Sequence, residues 1–271
     1  MKDLFTKKID YTYLDWSKIR SSSVTAGSFL KATENKNKEK IYYKLSNYDS
    51  TKGIVGHECI NELIVSRLLD ILGIEHLQYR VIYGDVQIGG KVYETYFCAS
   101  DSFRSKGERK MTFEDYFQMC KKLEETPIQF AVRKGWQKEI YQMILVDFLI
   151  LNRDRHGANI EIIMDKEGGT RLAPFFDHGL SLLFSCRNEE EIERYDVMED
   201  KPVQSYLGGN SSKENLGLIP KENHFMNRKL TIQDKSYILS GLNGVLSQKH
   251  LEKIWDMIWK RWKYYESMFN L

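Results

Sequence analysis

Two short segments of the chain carry the side chains best suited to catalysis. They are residues 152–159, with the sequence NRDRHGAN, and residues 176–179, with the sequence FDHG. Phosphoryl transfer from a magnesium nucleotide needs one carboxylate to orient the attacking hydroxyl. It also needs an amide oxygen and a second carboxylate to hold the metal against the phosphates. Asp154, Asn159 and Asp177 supply these three groups.

The spacing of these three residues is more specific than any one of them alone. In protein kinases the metal-binding Asn follows the catalytic Asp by five residues, which is the interval from Asp154 to Asn159. We therefore predict that Asp154 orients or deprotonates the acceptor hydroxyl. Asn159 and Asp177 are predicted to bind Mg²⁺, a hard cation that prefers oxygen ligands. The alternative for each residue is a structural role in a turn or a cap.

The neighbouring polar residues allow two interpretations each. His156 stands where many protein kinases have a lysine that touches the transferred phosphate, so it is a candidate catalytic residue; a structural hydrogen bond in the loop is the alternative. Arg153 and Arg155 are either phosphate contacts or surface charges. Asp147 interrupts an apolar helix and must be hydrogen-bonded or paired if it is buried.

A lysine and a glutamate upstream complete the predicted nucleotide site. Lys44 lies in the strand pattern YYKL, and the helix that follows carries Glu58 and Glu62 on one face. In kinases a strand lysine contacts the α- and β-phosphates and pairs with a glutamate of the next helix. We predict that Lys44 pairs with Glu62, with Glu58 as second choice. A solvated lysine on the outer face of the strand is the alternative.

The serine-rich stretch 21–30, SSSVTAGSFL, is the candidate phosphate-binding loop. Small residues let backbone amides approach phosphates, and hydroxyl groups add donors. The stretch matches neither G-x-G-x-x-G nor a P-loop, so a flexible linker is the alternative. The predicted phosphate contacts are Ser23, Thr25, Gly27 and Ser28. Adenine is predicted to lie against residues 96–100, at the link between two lobes, where it would meet Phe97, Cys98 and Ala99.

Periodicity and turn residues predict the elements that must position these groups. Strands are predicted at 28–33, 40–46, 79–83, 92–98, 160–164 and 171–176, and helices at 57–72, 112–125, 135–151 and 250–268. A β-rich first part with one helix thus precedes a mainly helical part. The predicted fold class is α+β, a two-lobed kinase-like fold with an N-lobe over 1–100 and a C-lobe over 101–271. A cleft between lobes is a usual place for a nucleotide.

Composition excludes several other classes of protein. The chain has 40 basic and 38 acidic residues, so its bulk charge gives no support for nucleic-acid binding. The four cysteines include no C-x-x-C pair, which fits a reducing compartment. The N-terminus lacks an apolar signal core, and the most apolar run, 143–151, is too short to span a bilayer. We therefore predict a cytoplasmic protein without a membrane span.

Taken together, these motifs resemble those of the HipA-like serine/threonine kinases, which share a core with the phosphatidylinositol kinases. The similar segments are SSSVTAGSFLK, YYKL, HECINELIVSRLLDILGI, LNRDRHGAN and LAPFFDHG. The resemblance implies a two-lobed kinase fold, ATP and Mg²⁺ as cofactors, and a protein hydroxyl as acceptor. It implies Asp154 as the catalytic Asp, Asn159 and Asp177 as metal ligands, and Lys44 as the ATP lysine.

The chain is shorter than full-length HipA toxins, because only about twenty residues precede the serine-rich loop. It resembles the compact members, of the toxin or cell-translocating type, which lack the extra N-terminal subdomain. The partners this implies are a protein substrate and a small antitoxin or regulatory protein. Autophosphorylation in the phosphate-binding loop is a further implication, with Ser21, Ser22 and Ser23 as candidate acceptors.

Two other functions fit the same residues. The segment D-R-H-x-x-N followed by D-H-G is close to the phosphoinositide kinase pattern, in which the His is catalytic, so a lipid or small-molecule kinase is the second hypothesis. A non-catalytic pseudokinase that binds a partner is the third. The polar stretch 187–223 is predicted to face the substrate, but the sequence does not identify that substrate.

Overall fold

The computed structural model describes residues 3–17, 29–36, 39–221 and 225–271. The strands in these residues are β1 (Leu4–Asp10), β2 (Lys31–Lys36), β3 (Glu39–Leu45), β4 (Tyr48–Asp49), β5 (Gly53–Ile54), β6 (Tyr79–Ile88), β7 (Lys91–Asp101), β8 (Arg109–Thr112), β9 (Asp154–Arg155), β10 (Glu161–Met164), β11 (Thr170–Leu172) and β12 (Gln204–Ser205). The helices are α1 (Glu58–Leu72), α2 (Phe113–Cys120), α3 (Pro127–Arg133), α4 (Gln137–Leu149), α5 (Glu189–Arg194), α6 (Ser212–Leu216), α7 (Lys235–Ile238) and α8 (Gln248–Phe269).

The first part of the chain forms a five-stranded sheet with the order β1-β6-β7-β3-β2. β1 runs parallel to β6, and the other neighbouring strands are antiparallel. One face of the sheet packs against α1, and the other buries an aromatic cluster that includes Tyr43 and Phe97. Because side chains alternate along a strand, Tyr43 and Leu45 enter this cluster while Lys44, between them, faces α1.

α1 is buried along nearly its whole length, so it lies between the sheet and the helical part of the molecule. It ends at Gly73, which has φ of 66° and closes the helix in the left-handed conformation that glycine adopts without a steric penalty. The helix predicted at 57–72 is therefore confirmed. Burial also means that its two buried acidic residues, Glu58 and Glu62, must find partners inside the protein.

The second part is mainly helical, with a three-stranded sheet of order β11-β10-β8 beside it. α4 contacts α3, α6 and α8, and α8 buries one face that includes Trp262. β12 pairs in parallel with β9, so the polar segment after residue 200 adjoins the loop that carries Asp154. No helix within the described residues has the length and apolar character to cross a membrane.

Several elements differ from the sequence prediction. β1 was not predicted, because most of its residues are exposed and show no apolar alternation. The helix that Thr112 caps ends at Cys120, and a capping box at Thr126 then begins α3. α5 and α6 lie in a stretch predicted as loop, where short helices leave little periodicity. The lobe boundary near residue 100 stays a prediction; β7 itself extends to Asp101.

Candidate active site

Lys44 joins the first part of the chain to the loop that follows β11. Its Nζ donates to Glu62 Oε1 at 3.0 Å and to Asp177 Oδ1 at 2.5 Å. Glu58, the second choice as a partner for Lys44, instead accepts a hydrogen bond from the backbone N–H of Asn47 at 3.0 Å. The structure thus brings the predicted lysine and glutamate together with one predicted metal ligand, and the alternative with Glu58 is wrong.

The charges of this cluster stabilise one another. Burial would lower the pKa of Lys44, but Asp177 and Glu62 raise it well above its ordinary value. Burial likewise would raise the pKa of Asp177, but the nearby Lys44 ammonium holds it well below its usual range. For Glu62 burial prevails and raises the pKa, with Lys44 acting in the opposite direction. Lys44 and Asp177 are therefore an ion pair at neutral pH.

Asp177 has an unusual backbone conformation, and its side chain is partly exposed. Its φ of 60° lies in the left-handed region, which is costly for a residue other than glycine and is common at functional sites. Its backbone N–H donates to the hydroxyl of Tyr79 at 3.3 Å, and the next N–H, of His178, donates to Glu62 Oε2 at 2.8 Å. The Asp177 side chain is 32% exposed, so a ligand can reach its carboxylate.

The loop from Asp154 to Asn159 begins with β9 and ends in a 3₁₀ turn. The Asp154 side chain is 30% exposed, and burial raises its pKa, with His156 lowering it and Asp177 raising it further. Asn159 Nδ2 donates to the Asp154 carbonyl at 2.8 Å. Because this bond uses the amide nitrogen, Asn159 Oδ1 is the atom left to bind a cation.

His156 makes the structural hydrogen bond, while its catalytic role stays a prediction. Its Nδ1 accepts the N–H of Ala158 at 3.2 Å, which is the structural hydrogen bond, and this assigns the ring proton to Nε2. That Nε2 lies 3.6 Å from Asp154 Oδ1. The ring is therefore fixed by the loop and also faces the predicted catalytic carboxylate.

Both predicted roles of Arg155 are wrong, because it is neither a phosphate contact nor a surface charge. Its side chain is buried and makes two hydrogen bonds of 2.9 Å to the carboxylate of Asp147. The prediction that Asp147 must be paired is thereby confirmed. Arg153 donates through Nε to the carbonyl of Pro202 at 2.5 Å, on the segment that leads into β12.

The prediction of the adenine contacts assumed free backbone groups, and that assumption is wrong. Phe97, Cys98 and Ala99 pair with β6 on one side and with β3 on the other, so their backbone groups are already used. Within the described residues, the backbone N–H groups of Ser102 and Phe103 have no partner. The error arose because an isolated strand pattern does not reveal whether a strand is central or at an edge.

Two residues that the sequence analysis missed also lie at the site. Lys31 is the cross-strand partner of Lys44, and burial lowers its pKa, while Asp177 raises it and Lys44 lowers it further. Tyr79 supplies the hydroxyl that holds Asp177. Pairing the two predicted strands of the hairpin in register would have indicated Lys31. Tyr79 had no such signal, because its contact depends on packing between distant segments.

Some predicted contacts lie outside the described residues. These are Ser21, Ser22, Ser23, Thr25, Gly27 and Ser28, which include the candidate phosphate-binding and autophosphorylation residues. Within the described part of the chain there is no cluster of three or more His, Cys, Asp or Glu residues that could hold a metal ion. One carboxylate and one amide oxygen fit Mg²⁺ that is bound together with nucleotide phosphates, which supply its remaining oxygen ligands.

No protein-family model and no curated protein matches this sequence. Among solved structures, the chain is similar to the Helicobacter pylori proinflammatory kinase CtkA, with a TM-score of 0.65 and 15% identity over 97% of both chains. A weaker likeness, with a TM-score of 0.41 and 15% identity, is to HipA of Shewanella oneidensis MR-1 in complex with HipB and operator DNA. It covers 91% of this chain and 59% of that one.

The likeness to CtkA extends over nearly the whole of both chains, so it concerns the complete arrangement of sheet and helices. The predicted fold class is confirmed, and the resemblance to compact HipA-like kinases is confirmed at the level of the fold. The chain therefore has the α+β, two-lobed fold of the CtkA kinase.

Proposed function

We propose that this protein is a phosphotransferase that moves the γ-phosphoryl group of magnesium-bound ATP to a hydroxyl of a protein. The observation that carries the proposal is the position of Lys44 between Glu62 and Asp177. A lysine paired with a helix glutamate beside a metal-binding aspartate is the arrangement that positions nucleotide phosphates in kinases.

The roles of the remaining residues follow from their free atoms. Asn159 Oδ1 and the carboxylate of Asp177 are the proposed Mg²⁺ ligands, and bound Mg²⁺ supplies positive charge against the phosphate oxygens. Lys44 is proposed to exchange part of its ion pair with Asp177 for the phosphates. Asp154 orients the acceptor hydroxyl and accepts its proton, and His156 donates from Nε2 toward the same place.

The adenine ring is proposed to lie against residues 102–104, just beyond β7. Since the backbone N–H groups of Ser102 and Phe103 have no partner among the described residues, they are suited to hydrogen-bond a base. The ring of Phe103 stacks on that of Phe176, with centroids 5.9 Å apart and an interplanar angle of 26°. Since Phe176 precedes Asp177, this contact links the proposed base site to the proposed metal site.

A protein acceptor is supported by the motifs that resemble HipA-like kinases and by the pairing of β12 with β9. That pairing brings the polar segment around residues 204–206 beside Asp154, where an acceptor would approach. The second candidate, a lipid or small-molecule kinase, is favoured by His156, because its Nε2 faces Asp154 and the similar D-R-H pattern of phosphoinositide kinases has a catalytic His. Specificity for serine or threonine, an antitoxin partner and autophosphorylation at Ser21–Ser23 stay predictions.

Labelled ATP tests the proposal and separates the acceptors. Wild type and Asp177→Asn are incubated with γ-labelled ATP, Mg²⁺ and, in separate reactions, a mixed protein extract, phosphoinositide vesicles or small hydroxyl metabolites. We expect label in protein only, and none with Asp177→Asn, because that variant lacks the metal-binding carboxylate. Label in the vesicles or the metabolites instead would favour the second candidate. The absence of both phosphoryl transfer and Mg²⁺-dependent ATP binding would favour a pseudokinase.

A further inference from the structure

Arg155 is a buried cation that contacts the main chain at both proposed metal ligands. Its side chain is 1% exposed. Nη1 donates to the carbonyl of Asn159 at 2.9 Å and to the carbonyl of Phe176 at 3.2 Å. Phe176 directly precedes Asp177, so a single guanidinium nitrogen joins the loop after β9 to the loop after β11.

Asp147 fixes the orientation of that guanidinium group. Nε and Nη2 of Arg155 each donate to one carboxylate oxygen of Asp147 at 2.9 Å. A bidentate pair of this kind sets the plane of the guanidinium group as well as its position. Asn152 Nδ2 donates to the same carboxylate at 2.8 Å, and α4, which carries Asp147, lies in the core. Arg155 is thus anchored to a largely buried helix of the second part of the chain.

The remaining bonds of the two ligands make their geometry depend on Arg155. Asn159 uses its amide nitrogen on the Asp154 carbonyl, and Asp177 uses its backbone N–H on Tyr79. These bonds set how each residue is turned within its own loop. Backbone hydrogen bonds also join the two loops, such as that from the Arg153 N–H to the Leu180 carbonyl at 2.9 Å. Arg155 Nη1 is the group that bridges them at the ligands themselves, because the carbonyls of Asn159 and Phe176 share it.

We infer that Arg155 is a positioning residue that fixes Asn159 and Asp177 relative to each other. The inference rests on the proposed function, since it concerns how these two residues hold Mg²⁺ with a nucleotide. Residues that support metal ligands typically change metal affinity or activity by about 10- to 100-fold when they are mutated. A pair that only stabilises the core has no such effect on a folded protein.

Two variants test the inference: one removes both charges of the Asp147–Arg155 pair, and the other keeps them. Asp147→Leu combined with Arg155→Met removes both charges, and replacing a whole buried pair by apolar side chains is often neutral for stability. Arg155→Lys keeps a positive charge beside Asp147 but loses the planar fork that reaches two carbonyls. Circular dichroism and thermal unfolding establish that each protein is folded before its binding is compared.

Arg67 offers a matched control elsewhere in the molecule. Its side chain is also 1% exposed, it binds both carboxylate oxygens of Asp3, and it donates to the carbonyls of Ile238 and Ser240. Arg67→Met therefore removes four hydrogen bonds of the same kinds as the four of Arg155, at a place without predicted metal ligands. We expect this variant to lose stability and to keep the wild-type response to Mg²⁺.

The measurement is binding of a non-hydrolysable ATP analogue by calorimetry, with EDTA and across a Mg²⁺ titration. For both Arg155 variants we expect metal-free binding close to that of wild type, because neither variant changes a proposed nucleotide contact. The Mg²⁺ concentration at half saturation should rise about 10- to 100-fold. Electron paramagnetic resonance of Mn²⁺ with the same analogue measures the loss of bound metal directly.

The outcomes separate this inference from the proposed function. The inference is overturned if the double variant folds and has the wild-type Mg²⁺ concentration at half saturation. If the double variant does not fold, the same result in a folded Arg155→Lys overturns it. A shift as large in Arg67→Met also overturns it, because general destabilisation then explains the effect. If the wild type itself binds the analogue without any response to Mg²⁺, the proposed function fails instead.

Discussion

At the scale of single residues, the site is a set of charges that are costly to bury apart and stable together. Glu62 is fully buried and loses its main compensating charge if Lys44 is removed, whereas Lys44 is compensated by both Asp177 and Glu62. The spacing of Asp154, Asn159 and Asp177 was readable from the sequence because catalytic loops keep short, fixed intervals. The buried position of Arg155 was not readable from the sequence, because nothing in the pattern around a loop arginine indicates that it is buried.

The first prediction concerns Lys44→Met. Breaking a buried pair and leaving a carboxylate uncompensated costs about 3–5 kcal/mol of unfolding free energy. The pKa of Asp177 is lowered in the folded protein, so its contribution is present above the ordinary value of 3.8 and is lost as pH falls through the lower folded value. We therefore expect the difference from wild type, measured by urea unfolding, to be largest near neutral pH and to shrink in acid.

Lys8→Met is the control for this prediction. Lys8 also contacts two carboxylates, Asp85 and Glu94, but its side chain is 48% exposed. Exposed ion pairs are screened by solvent and contribute little to stability, so we expect a much smaller loss than in Lys44→Met. Equal losses of unfolding free energy in Lys44→Met and Lys8→Met at neutral pH would contradict the claim that burial makes the Lys44 ion pairs important for stability.

At the scale of elements, α1 connects the site to the C-terminal helix. His57, at the N-terminus of α1, contacts His250 in the first turn of α8, with ring centroids 4.5 Å apart at 86°. The Nε2 atoms of both rings are buried without a hydrogen-bond partner in the described residues. The sequence predicted both helices from their periodicity, but not this contact, because a histidine at a helix end is equally common at the surface.

The histidine pair makes stability depend on pH. Burial lowers the pKa of His250 from its ordinary 6.5 to about 4, so the folded protein keeps the ring neutral while the unfolded chain binds a proton below 6.5. Unfolding free energy therefore falls as pH drops from 6.5 toward 4, by about 2 kcal/mol from this residue at pH 5. We expect His250→Leu to reduce the slope of this part of the pH profile in urea unfolding; the rest of the slope includes that of His57, whose pKa burial lowers to about 3. An unchanged slope between pH 7 and pH 5 would contradict the assignment.

At the scale of the whole molecule, the site is assembled from segments far apart in sequence. Lys44 and Asp177 are separated by 133 positions, and the fold that joins them is shared with CtkA at 15% identity. The order of a β-rich part and a helical part was enough to predict this fold class. The sheet order was not predictable, since β1 is polar and pairs in parallel with the distant β6. Such non-local pairing leaves no pattern within the strand itself.

The central claim is that this fold transfers a phosphoryl group from magnesium-bound ATP, with Asp154 orienting the acceptor. The most direct measurement is the single-turnover rate of γ-phosphoryl transfer by wild type and Asp154→Asn, with the affinity for Mg²⁺-ATP measured on the same samples. A positioned general base contributes about 10²- to 10⁴-fold, so we expect a loss of that size in the rate with the nucleotide affinity retained. A wild-type rate in Asp154→Asn would contradict the account.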